Sequence, residues 1–207
     1  MLYYDTIDTP TLELLRRLLA IPSFSSLRLA GGTSLALQYG HRKSVDIDLF
    51  GSMALDGDTL SNVLSEVGEV KRLNNRVNIH MYSIDGVKVD IVNYPYQWID
   101  ALYIQDDLRL ASDKDIGAMK LAAITGRGTK KDFIDLFELL QHYSLSDLIS
   151  FYEQKYPDGS VLLVLKSLVY FEDAEGEIEP FMLRNYSWEQ VKIHIKKVHF
   201  DYFQSLG

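Results

Sequence analysis

Arg28-Leu29-Ala30-Gly31-Gly32-Thr33-Ser34-Leu35-Ala36-Leu37 and, a little farther on, Val45-Asp46-Ile47-Asp48-Leu49-Phe50 are the most informative stretches of this chain. Arg28 to Ala30 predicts a short strand that runs into a glycine turn, after which Thr33-Ser34 open a helix toward Gly40. The second stretch alternates apolar and acidic residues with period two, so Ile47 and Leu49 face a core while Asp46 and Asp48 share the opposite face. A helix start after paired glycines offers free backbone N–H groups, the positive dipole end and two hydroxyls, which suits a phosphate. Two glycines after a strand are, however, more often only a tight turn. The spacing fits neither a Walker loop nor a dinucleotide fingerprint. Carboxylates at i and i+2 on a strand lie roughly 6 to 7 Å apart, close enough to share divalent cations. A water-facing edge strand is the plainer explanation of an isolated Asp-x-Asp.

Working outward, Thr9 and Pro10 start a helix that Leu12, Leu15, Leu18 and Leu19 continue to Ile21. A helix over Thr59 to Val67 precedes strands at Glu69 to Leu73, Val77 to Ile84 and Val87 to Val92, the last two joined by an Asp85-Gly86 turn. Asp90, in Lys88-Val89-Asp90-Ile91-Val92, is a third carboxylate between core residues, and three acids on neighbouring strands would suit Mg²⁺. From Ser112 onward the periodicity is helical throughout, in segments near Asp113 to Thr125, Lys130 to His142, Leu145 to Tyr156, Ser160 to Phe171 and Trp188 to Gln204. The fold class is therefore α+β: an α/β part over 1–105 and a helical part over 106–207. Lys120, among small and apolar residues, reads plainly as a surface lysine. Asp132 and Asp135, one turn apart, read as a first-turn dipole contact and a Lys131–Asp135 pair. The acidic run Glu172 to Glu177 reads as a solvated loop.

Of 207 residues, 47% are hydrophobic and 12% aromatic, which excludes disorder and implies a packed core. The absence of cysteine excludes disulfides, thiolate metal sites and a cysteine nucleophile, so a metal here would be held by oxygen or imidazole, as hard cations such as Mg²⁺ are. Twenty-one basic against 29 acidic residues give a net charge of −8, which opposes non-specific wrapping of nucleic acid but not a local basic cleft. No stretch approaches the ~20 apolar residues of a membrane helix, and a cytoplasmic protein without membrane partners is expected.

Taken in order, Gly31-Gly32-Thr33, Arg42 before Ser44, Asp46-Ile47-Asp48-Leu49, Lys88-Val89-Asp90, Lys120, Arg127 and Lys131-Asp132-Phe133-Ile134-Asp135-Leu136 resemble the AbiEii/AbiGii nucleotidyltransferase toxins. The ordered match covers roughly residues 28 to 140. The resemblance implies a DNA polymerase β-like nucleotidyltransferase core whose helical second part completes the active-site cleft. It implies a nucleoside triphosphate substrate, two Mg²⁺ ions on Asp46, Asp48 and Asp90, and a toxin of a toxin–antitoxin or phage-defence system with a cognate antitoxin. It further implies, as for some members, a tRNA acceptor, or another macromolecular one. Asp46, Asp48, Asp90, Lys120 and Asp132 would be catalytic, and Gly31, Gly32, Thr33, Ser34, Arg42, Lys120, Arg127 and Lys131 would bind the nucleotide. The same core could instead modify a protein or a small hydroxyl compound, or survive as an inactive binding module.

Overall fold

The structure, a computed structural model, describes residues 1–53 and 55–205. It divides into two compact units, Met1–Tyr96 with Leu102–Ala111, and Gln97–Ala101 with Ser112–Gly207. The first unit therefore reaches Ala111, beyond the boundary at 105 that the sequence suggested, and the chain leaves it once at Gln97 before returning.

In the first unit, α1 (Thr9–Ala20) buries Leu14, Leu15, Leu18 and Leu19. Its cap is Asp8, whose carboxylate accepts from the Thr11 N–H at 2.8 Å, in place of the expected Thr9. Then follow β1 (Arg28–Leu29), α2 (Gly31–Tyr39), β2 (Ile47–Gly51), α3 (Gly57–Ser65), β3 (Val70–Arg76), β4 (Ile79–Ile84), β5 (Val87–Asn93), β6 (Tyr103–Gln105) and β7 (Leu108–Leu110). The strands form one mixed seven-stranded sheet in the order β3-β4-β5-β2-β1-β7-β6. β2 runs parallel to β5 and β1 parallel to β7, and the other neighbours are antiparallel. Leu29, Ile47, Leu49, Val89, Ile91, Leu108 and Leu110 are fully buried and share one core with α1. The alternation predicted for the acidic strand is present from Ile47 on, while Val45 stays exposed before it.

Strands β6 and β7 escaped the sequence reading because each has only three residues, too few for period two to register. Their hairpin turns at Asp106 and Asp107, which take left-handed φ values of 52° and 64° without any glycine. Arg109 on β7 fastens the strand by donating to the carbonyls of Leu19, Phe24 and Leu27 at 2.9 to 3.0 Å.

The second unit is built from α4 (Asp113–Gly126), α5 (Lys130–Leu139), α6 (Leu145–Lys155), α7 (Val161–Ser167), α8 (Glu172–Glu175) and α9 (Trp188–Ser205). Gly117 lets α4 approach α6 closely, since a Cβ there would lie 2.8 Å from Leu148 Cδ2. The Gln97–Ala101 segment is pinned by Asp115, a fully buried carboxylate that accepts from Ile99 N–H at 2.9 Å and Lys155 Nζ at 2.7 Å. Lys155 Nζ also stands 4.5 Å from the centre of the Trp98 ring. The acidic run is largely exposed, as expected, but it is not a loop. Four of its residues form α8, Glu175 accepts from Trp188 and Lys192, and Glu177 accepts from Lys130 N–H at 2.8 Å, because basic and indole donors on α5 and α9 meet it.

Candidate active site

In the first unit, the parallel pairing of β2 with β5 sets Asp48 directly opposite Asp90. Asp46 lies just before β2, where the Thr33 hydroxyl donates to its carbonyl and holds the approach against α2. Gly31, the first residue of α2, has φ +64°, and a Cβ on it would run into the Asp48 carboxylate. The glycine thus sets the start of the helix hard against an acid. No side chain caps that start, so the first-turn N–H groups are left to other partners. Asp90 Oδ2 accepts from Lys88 Nζ at 2.7 Å, and Asp90 Oδ1 is buried with no hydrogen-bond partner among the described residues. Burial pulls the Lys88 ammonium pKa down, but the hydrogen bond to Asp90 and the charges of Asp90, Asp48 and Asp46 outweigh it and hold it above the ordinary lysine value. All three carboxylates therefore act on one ammonium.

The other residues expected to bind nucleotide in this unit are placed differently. Ser34 is fully buried and its Oγ accepts from Gln38 Nε2 at 3.1 Å, while the Thr33 hydroxyl is engaged at Asp46 and Ser44. Arg42 is also buried, with Nη1 donating to the Lys43 carbonyl at 3.0 Å. These side chains brace the loop between α2 and β2. What the loop presents is backbone, at Gly31, Gly32 and Thr33.

In the second unit, Lys120 is not the surface lysine of the plain reading. Its side chain is only 6% exposed and Nζ bonds Asp132 Oδ1 at 2.9 Å and Asp135 Oδ2 at 2.5 Å. Asp135 thus pairs with a lysine on α4, and the expected partner Lys131 is exposed. Asp132 also accepts from Arg127 Nε at 3.0 Å and Nη2 at 3.2 Å, and from the Thr129 hydroxyl at 2.6 Å. Burial would raise the Asp132 carboxyl, yet the Lys120 and Arg127 charges and these hydrogen bonds hold it far below the usual carboxylate range. Thr129 and Asp132 form a capping box at the start of α5 as well. The network leaves the Arg127 side chain 67% exposed, a cation clamped from behind.

The sequence profile of a family described as nucleotidyl transferase AbiEii toxin, Type IV TA system, matches residues 13–176. This chain belongs to the AbiEii nucleotidyltransferase toxin family. An uncharacterized protein of Aquifex aeolicus is 33% identical over 203 residues, covering 93% of this AbiEii chain and 96% of the relative. Among solved structures, a candidate nucleotidyltransferase of Helicobacter pylori superposes with a TM-score of 0.59 at 19% identity, covering 96% of this chain and 95% of that one. MenT4, a nucleotidyltransferase toxin of Mycobacterium tuberculosis, gives 0.59 at 15% identity, covering 92% and 80%. These likenesses carry the α+β nucleotidyltransferase fold, and family membership makes the chain a nucleotidyltransferase acting on a nucleoside triphosphate.

A divalent cation is typical of such enzymes, and Asp46, Asp48 and Asp90 are the carboxylates this AbiEii chain offers one. Among the described residues no three His, Asp or Glu side chains are already drawn together as a ligand cage. The physical reason is at hand: bare carboxylates repel, and Lys88 supplies the compensating charge on Asp90. The donor chemistry nonetheless fits a hard cation, being wholly carboxylate oxygen with one buried oxygen, Asp90 Oδ1, lacking a hydrogen-bond donor among the described residues. Two contacts are not visible in the sequence: the bond of Lys88 to Asp90 across one strand face, and the pairing of Asp135 with Lys120 in place of Lys131. No helix among the described residues is long and apolar enough to cross a membrane.

Proposed function

We propose that this AbiEii chain transfers a nucleotide from a nucleoside triphosphate to a tRNA end in an Mg²⁺-dependent reaction, as the toxin of a toxin–antitoxin or phage-defence pair restrained by a cognate antitoxin protein. The observation that carries the reading is the register of β2 on β5, which sets Asp48 against Asp90 beside the uncapped start of α2. Asp46, Asp48 and Asp90 would hold the metal, which when bound supplies charge stabilisation for the attacking and leaving oxygens. The N–H groups of Gly31, Gly32 and Thr33 receive phosphate oxygens at the positive end of the helix. The acceptor hydroxyl oxygen forms its bond to the α-phosphorus as the bond to the bridging oxygen of the leaving pyrophosphate breaks. Asp90 would receive the hydroxyl proton.

In the second unit, Arg127 is the cation offered to an anionic ligand, oriented by Asp132, while buried Lys120 holds Asp132 and Asp135 in place. Exposed Lys131, Lys196 and Lys197 are positive charges that a nucleic-acid acceptor could meet on the same unit, although the unit, like the whole chain, holds more acidic than basic residues. Incubating the purified protein with each labelled nucleoside triphosphate, Mg²⁺ and total tRNA tests this reading. Label in RNA supports it. Label in protein or in a small hydroxyl compound moves the acceptor, and no label anywhere rejects it.

A further inference from the structure

Lys88 and Asp90 are two apart on β5 and so share one face of the strand, which runs the lysine stem alongside the carboxylate. Their heads meet at 2.7 Å, but the two partners are not equally fixed: the Asp90 side chain is 17% exposed and that of Lys88 is 41% exposed. The carboxylate is seated, and the ammonium is the member with room to leave. We propose that Lys88 is the built-in counter-ion of the acidic trio, occupying Asp90 until a divalent cation displaces it, so that cation binding and release of Lys88 are a single exchange. This inference rests on the reading that Asp46, Asp48 and Asp90 hold a cation.

The charges of Asp46 and Asp48 reach the same ammonium that Asp90 bonds. A doubly charged ion on the trio brings twice the charge of one ammonium to the same carboxylates. The exchange has a cost: among the described residues Asp90 Oδ1 has no donor to give up, but a cation that draws on Oδ2 as well takes it from a charge-assisted hydrogen bond with Lys88. Lys88 accordingly sets the cation concentration at which the site fills. A lysine that was only an exposed salt-bridge partner would contribute little and leave cation binding untouched.

The test is a Mg²⁺ titration of the whole protein, read by the rise in melting temperature and, with Mn²⁺ as the probe, by electron paramagnetic resonance of the free ion. In Lys88→Met and Lys88→Gln, half-saturation should fall at least fivefold below that of wild type, while the cation-free melting temperature drops because Asp90 loses its ion pair. Lys88→Arg, which keeps the charge, should stay within twofold of wild type. Half-saturation that is unchanged or higher in both Lys88→Met and Lys88→Gln overturns the inference. If wild type responds to the cation, Asp48→Asn abolishes the response and the lysine variants match wild type, the cation reading stands and the counter-ion role falls. If wild type itself shows no response to either ion, both fall together.

Discussion

Gly31 and Asp48 are fitted to each other, and the fit makes a sharp demand on both. Alanine at 31 would place a Cβ on a left-handed φ of +64° and against the Asp48 carboxylate. The backbone strain alone costs about 1 to 2 kcal/mol. Gly31→Ala should therefore lower the melting temperature by a few degrees, yet reduce labelled-nucleotide transfer more than tenfold because the carboxylate is pushed aside. Asp48→Asn separates the two effects: transfer should disappear while the melting temperature holds or rises, since one charge leaves a crowded acidic group. Retained transfer in that variant would remove Asp48 from the chemistry. At this scale the sequence was most legible where spacing forces a side chain outward. Period two singles out Asp46, Asp48 and Asp90 in the sequence, and the structure sets Asp48 opposite Asp90 with Asp46 just before β2. It was least legible for Thr33, Ser34 and Arg42, since no spacing says whether a polar head turns to a ligand or back onto its own chain. Here they turn back, onto Asp46, Gln38 and Lys43.

The start of α5 combines two tasks. Thr129 and Asp132 form a capping box, and the same carboxylate joins Lys120 of α4 and Arg127 of the connecting turn into one buried ion network with Asp135. Removing one member of such a network leaves its partners charged and buried, which costs about 3 to 5 kcal/mol. Lys120→Ala should thus lower stability by about that amount in denaturant titrations, where a surface lysine would give less than about 0.5 kcal/mol. Asp132→Asn should lose a similar amount at neutral pH, with a definite pH dependence. The folded Asp132 carboxyl lies below its unfolded value, so its stabilisation is fully present above the unfolded carboxyl pKa of about 3.9 and is lost as pH falls through the lower folded value. The gap between wild type and Asp132→Asn, measured in urea, should be widest at pH 7 and narrow steadily below about pH 4. A gap of constant size would show that the charge of Asp132 is not what stabilises. The helices themselves were readable because their apolar stripes run for ten residues or more, as in α4, α5 and α6. The pairing of Asp135 was not, because i, i+4 neighbours are visible in a sequence and a lysine on the preceding helix is not.

For the whole molecule, the border between the sheet-bearing and helical units was legible only to within a few residues, because the last strand to join is three residues long and follows a segment belonging to the other unit. Leu29 of β1 pairs with Leu110 of β7, and the Ala111 N–H donates back to the Leu29 carbonyl at 2.8 Å. A fragment ending at 105 would leave β1 with one bare edge next to a core it shares with Leu108 and Leu110. It should aggregate more readily in expression trials than one ending at 111, and equal solubility would show that β7 adds nothing to the sheet. The placement of β7 also orders events at the ribosome. A strand made near the beginning of translation waits, half-paired, for more than a third of the polypeptide to emerge before its second neighbour exists. At roughly 5 to 20 residues per second, that wait lasts several seconds. Until β7 emerges the sheet that carries Asp48 and Asp90 is incomplete, and those seconds are an interval in which a chaperone can reach the nascent chain.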